Sequence, residues 1–66
     1  MIVNGKELTP HFPGSQVGTY DYKNWTVHVY TLGGFICIAV NNASRDQVLR
    51  ANSYEEIESK IDNDDK

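Results

Sequence analysis

The chain has 66 residues, 39% of them hydrophobic, a formal net charge of −3 and a single cysteine, Cys37. That length makes one small domain, close to the size at which stability becomes marginal and too shallow for a deep active-site cleft. The acidic balance argues against direct nucleic-acid binding, which needs a basic footprint, and one cysteine excludes an intramolecular disulfide.

No apolar run approaches a membrane span. Met1-Ile2-Val3-Asn4-Gly5-Lys6 lacks signal-peptide architecture, so the expected compartment is the cytoplasm and the expected partners do not include a membrane. On that reading the sequons Asn24-Trp25-Thr26 and Asn42-Ala43-Ser44 are coincidences of composition.

Taken in chain order, Asn4-Gly5 is a strong two-residue turn signal and predicts a short hairpin with Met1-Ile2-Val3 and Lys6-Glu7-Leu8 as arms. Thr9 to Ser15 contains Pro10, Pro13 and Gly14 and is predicted to be irregular. Gln16 to Tyr22 is extended, and Asp21 to Asn24 turns into the main hairpin. Its arms, Trp25 to Leu32 and Phe35 to Val40, are β-branched and aromatic, with Gly33-Gly34 between them. A two-residue loop there sets Leu32 opposite Phe35, Tyr30 opposite Cys37 and Val27 opposite Val40. The predicted core face is then Trp25, Val27, Val29, Thr31, Ile36, Ile38 and Val40. The second face carries Thr26, His28, Tyr30, Leu32, Phe35, Cys37 and Ala39.

One continuous helix from Ser44 onward would put Val48 and Ile57 on opposite sides of the wheel, so a break is expected near Asn52-Ser53, with Gln47 to Ala51 either a strand or a single helical turn. Ser53-Tyr54-Glu55-Glu56 is a capping box, and Tyr54, Ile57 and Ile61 follow at helical spacing. A helix over about Tyr54 to Asp62 is predicted to lie on the Val27/Val29/Ile36/Ile38 face, with residues 63–66 a frayed acidic tail. The fold class is therefore α+β: one domain over residues 1–62, a small antiparallel sheet of three to five strands with one C-terminal helix on one face.

Catalytic patterns are absent. His11 and His28 have no companions at metal-ligand spacing, the glycines form no phosphate-binding loop, and a Cys37–His28 pair has no recognisable oxyanion donor or third group. No enzyme activity, metal or cofactor is expected, and Cys37 reads as a buried inert thiol.

What remains is surface. The second sheet face is unusually apolar, which fits either cover from the loop around Phe12 or a protein-binding surface anchored by Tyr30, Leu32 and Phe35. Residues 53–66 hold six acids against two lysines. Glu55, Glu56 and Glu58 are thus either a solvated, solubilising face or a charged docking surface for a basic protein, such as one that normally holds nucleic acid. Phe35-Ile36-Cys37-Ile38-Ala39-Val40, followed by Leu49-Arg50-Ala51-Asn52-Ser53 and Tyr54 to Asp62, resembles the sheet-plus-short-helix ending of small phage and prophage accessory proteins. The resemblance implies a small non-enzymatic protein that binds a host or phage macromolecule, inhibitors of host defence complexes such as anti-CRISPR proteins being one class of that size and acidity. The expected mechanism is steric or electrostatic occlusion of a protein partner. The alternatives are a structural homo-oligomer, at its simplest a homodimer built on the apolar face, and a Cys37-dependent thiol protein.

Overall fold

A computed structural model describes residues 1–10, 16–31 and 33–64. Its elements are β1 (Ile2–Val3), β2 (Lys6–Glu7), β3 (Thr9–Pro10), β4 (Gln16–Tyr22), β5 (Trp25–Tyr30), β6 (Ile36–Asn41), β7 (Val48–Ala51) and α1 (Tyr54–Asp64). Strands β3 to β7 form an antiparallel meander in chain order, β1 and β2 pair separately, and the helix lies over β6 and β7. The α+β class, the antiparallel sheet, at the upper end of the three to five strands expected, and the C-terminal helix match the sequence expectations, whereas the helix continues through Asn63 and Asp64, which were expected to belong to a frayed tail.

Local chemistry accounts for most of these elements. Asn4 and Gly5 both have positive φ, 50° and 85°, as the primed turn joining β1 to β2 requires. Of the two forms left open for this segment, Val48–Ala51 takes the strand, separated from the helix by the break the wheel required. The first half of the capping box forms, the Glu56 N–H donating to Ser53 Oγ at 3.1 Å, while Glu56 Oε1 reaches one residue further back and accepts from the Asn52 N–H at 3.3 Å. Thr9 and Pro10, expected to be irregular, instead form a two-residue edge strand against Thr19 and Gly18. A proline missing its N–H is tolerated at a sheet edge, where no ladder partner is lost. The expected loop cover from Phe12 lies outside the described residues.

The register of the main hairpin differs from the sequence reading by one residue. Tyr30 pairs with Ile36, Val29 with Cys37, His28 with Ile38 and Val27 with Ala39. The connection is thus Thr31 to Phe35, five residues, with Gly33 and Gly34 at φ 80° and 131° and a bond from the Gly34 N–H to the Thr31 carbonyl at 3.3 Å. Because side chains alternate with period two, this slip turns β6 over relative to β5. Cys37 and Ala39 join Trp25, Val27 and Val29 in the core, while Ile36, Ile38 and Val40 face away from it.

The reason is the room a helix needs. Under α1 the sheet presents Cys37, Ala39 and Ala51, all buried and small, against the fully buried Ile57 and Ile61. A second isoleucine layer from β6 would overfill that space. The larger Trp25, Tyr20 and Tyr22 occupy strands β4 and β5, at the side of the helix.

Gly18 closes the other end of the core. A Cβ there would stand 2.8 Å from the Thr9 carbonyl oxygen and 2.9 Å from Leu8 Cβ, neither of them the end of a flexible chain. Leu8 is 2% exposed and seals the sheet beneath the N-terminal hairpin. Gly18→Ala is therefore expected to cost about 1–3 kcal/mol through overpacking. Urea unfolding would show this as a lower midpoint with an unchanged slope, and an unaltered midpoint would mean that Leu8 is not clamped there.

Candidate functional site

The helix side of the sheet carries most of the protein's charged contacts, and they are internal. Glu58 Oε2 accepts from Lys6 Nζ at 2.7 Å and from the Tyr20 hydroxyl at 2.9 Å, while Lys6 Nζ sits 4.4 Å from the Tyr20 ring centroid. The Tyr22 hydroxyl donates to Asp62, which also pairs with Lys23 at 2.6 Å. The Tyr54 hydroxyl donates to the Val3 carbonyl at 2.6 Å, tying the N-terminal hairpin to the helix. These pairs hold α1 to β2 and the β4–β5 turn.

Their electrostatics follow. Burial and the bond to Glu58 push the Tyr20 hydroxyl well above its ordinary value, and burial raises Tyr54. The bond from Lys23 holds the Asp62 carboxyl below the usual carboxylate range. Cys37 is fully buried, and loss of hydration pushes its thiol up to about 11. A thiol so placed is the protonated, unreactive form at neutral pH.

The acidic residues expected to form one docking surface are thus divided. Glu58 is engaged by Lys6 and Tyr20, and Glu56 caps the helix and stands 3.9 Å from Lys60. Glu55 is exposed in the first turn. The expected apolar anchors divide as well. Phe35 packs edge-on against Tyr54, ring centroids 5.0 Å apart, on the helix side, whereas Tyr30 lies on the opposite face. Leu32 is outside the described residues.

That opposite face is where an unexpected constellation assembles. Ile36, Ile38 and Val40 of β6 run down its middle, each partly exposed. Val40 lies between Thr26 and Val48, Ile38 between His28 and Arg50, and Ile36 beside Tyr30. Val48 is 54% exposed. Thr26, His28, Val40, Asn41, Asn42 and Arg45 line a shallow hollow of about 250 Å³ at one end of this row. The hollow's shape is set by the β6–β7 loop, where Asn41 Oδ1 accepts from the Ala43 and Ser44 N–H groups and Asn42 Oδ1 accepts from the Thr26 hydroxyl. Among the described residues, no element covers this face.

Sequence reasoning missed Ile36, Ile38, Val40 and Val48 as surface residues because a larger aliphatic residue looks like the better core residue. The usable signal was size: of the two alternating sets in β6, Cys37 and Ala39 fit beneath a helix and the isoleucines do not. Among the described residues no group of three or more His, Cys, Asp or Glu could hold a metal, and no helix is long and apolar enough to cross a membrane. Comparison with protein-family models, curated proteins and solved structures finds no match to this chain.

Burial of Cys37 has a pH signature. In the unfolded chain the thiol ionises near 9.0, in the folded protein near 11, so between these values the unfolded state binds fewer protons and stability falls as pH rises. The raised tyrosines act in the same direction at higher pH. Cys37→Ala is expected to flatten the loss of stability between about pH 9 and 11, measured by urea unfolding at a series of pH values. A profile as steep as that of the native protein would show that Cys37 is not the group responsible.

Proposed function

We propose that this protein is a small non-enzymatic module that binds another protein through the open face of its sheet. The observation that carries the reading is the aliphatic row Ile36, Ile38 and Val40, each partly exposed, with the exposed Val48 beside it, on a sheet face that no element covers among the described residues. An antiparallel sheet with one wet side ordinarily alternates apolar with polar residues, and a contiguous apolar face rimmed by polar groups is what interaction sites look like. Thr26, His28, Asn41, Arg45 and Arg50 supply such a rim.

Binding of this kind acts by occlusion. Such a surface covers part of its partner without changing a bond, which is how an inhibitor of a host complex, of the phage accessory type, would work. A reduced and buried thiol suits a reducing compartment such as the cytoplasm. Its inaccessibility weighs against a thiol-dependent role for Cys37. The acidic helix is assigned a mainly structural part, because Glu56, Glu58 and Asp62 already have partners within the fold.

The test compares the native chain with Ile38→Asp on the open face and with Glu55→Gln/Glu56→Gln on the helix, each first shown to be folded by circular dichroism. Capture from bacterial lysate identifies a partner, and titration of the purified partner measures the three affinities. Removing a central aliphatic anchor is expected to weaken binding at least about tenfold, while the helix variant binds like the native chain. The reverse ranking sinks the proposal. Self-association of the native chain, detected by sedimentation at rising concentration and lost in Ile38→Asp, would identify the occupant as a second copy.

A further inference from the structure

The open face differs from the covered one in charge as well as in cover. Arg45 borders the hollow beside Val40, and Arg50 stands directly across from Ile38. Neither arginine has an ion-pair partner among the described residues. The acids nearest in the sheet and loop are Asp21, opposite Thr26 and one strand further out, and Asp46, which accepts from the Ser44 hydroxyl.

The covered face shows how cations of this protein hold a carboxylate-bearing helix. There the sheet holds an acidic amphipathic helix: Ile57 and Ile61 enter the core, Glu58 pairs with Lys6 and Asp62 pairs with Lys23. In this molecule a helix with an apolar stripe and flanking carboxylates is thus held on the sheet by Lys6 of β2 and Lys23 of the β4–β5 turn, over a floor of the small residues Cys37, Ala39 and Ala51. The open face shares the cations, Arg45 and Arg50, but has a taller aliphatic floor in Ile36, Ile38, Val40 and Val48, on which a helix would stand further from the sheet than α1 does. Covering both faces of a sheet with helices is a stable layered arrangement.

We infer that the occupant of the open face is an acidic amphipathic helix of another protein, laid along Ile38 and Val40 with its carboxylates on Arg45 and Arg50. The inference rests on the reading that this face binds protein, and adds the chemistry of the partner. Arginine's planar fork favours paired bonds to a carboxylate, so the two residues would set the orientation of the helix as well as attract it.

The experiment titrates the isotope-labelled full chain with two designed helical peptides that share one leucine stripe at helical spacing. One carries glutamates on the flanks and the other lysines. The glutamate peptide is expected to move the amide signals of Ile38, Val40, Arg45, Val48 and Arg50 while leaving Ile57 and Ile61 in place, and to bind at least about fivefold more tightly than the lysine peptide. Arg45→Gln/Arg50→Gln, with both sites exposed and the fold checked by its spectrum, should abolish that preference. Equal binding of the two peptides, or a preference that survives the double substitution, overturns the acidic-helix inference and leaves the open face as a protein-binding surface. Absence of any shift on the open face with the glutamate peptide also overturns it, and the Ile38→Asp capture result then decides the broader reading by itself.

Discussion

The close approach of α1 to strands β6 and β7 governs the rest of the molecule. Cys37, Ala39 and Ala51 are small enough to let Ile57 and Ile61 reach the sheet, and all five are buried. That approach fixes which set of β6 side chains is inside, and the strand's period of two then sends Ile36, Ile38 and Val40 to the other side with no intermediate choice. A core that admitted the isoleucines would need a helix held further away, and would lose the contacts that Ile57 and Ile61 make. The aliphatic surface is therefore a consequence of how the helix packs.

Polar contacts reinforce the same choice. Glu58 and Asp62 lie one and five residues beyond Ile57, on the flank of the helix that meets Lys6, Tyr20, Tyr22 and Lys23. Individually, half-exposed pairs of this kind add little stability. Together with the Tyr54–Val3 bond they link the first strands to the last element across most of the sequence, and so constrain a small domain that has no disulfide. Of the six acids in the C-terminal segment, Glu58 and Asp62 are committed to this bracing.

Much of the fold was legible because local signals agreed with it. Asn4-Gly5, the capping box at Ser53 and the helical spacing of Tyr54, Ile57 and Ile61 each predicted the element that forms, and the phase break before Ser53 predicted the separation from what precedes it while leaving strand or helical turn open. The main hairpin was legible in its arms and not in its register, because Gly33-Gly34 permits either a two-residue loop or the five-residue connection that forms, and both pairings give a plausible apolar face. Only the space left under the helix distinguishes them. That is a tertiary property, and the candidate surface inherited the same ambiguity: Tyr30 was correctly expected on the second face, Phe35 was not, and the isoleucines were assigned to the wrong side. Thr9 and Pro10 were misread for a related reason, since proline's cost in a sheet depends on whether its N–H would have met a neighbour.

How the sheet's edges are finished bears on the way the open face is used. The Asn41 N–H bonds to the Gln47 carbonyl, so alternation turns the backbone groups of Leu49 and Ala51 toward β6 and those of Val48 and Arg50 outward. The outward Arg50 carbonyl is taken by Lys60 Nζ at 2.7 Å. At the opposite edge β3 is two residues long and includes Pro10, which has no N–H to offer. Both edges thus carry the features that discourage strand addition: a lysine on one, brevity and proline on the other. The flat face carries none of them. A partner that joined the sheet as an extra strand would meet these obstacles, whereas one packed on Ile36, Ile38 and Val40 would bury apolar area without competing for a backbone group, which favours a helix over a strand as the element that docks there.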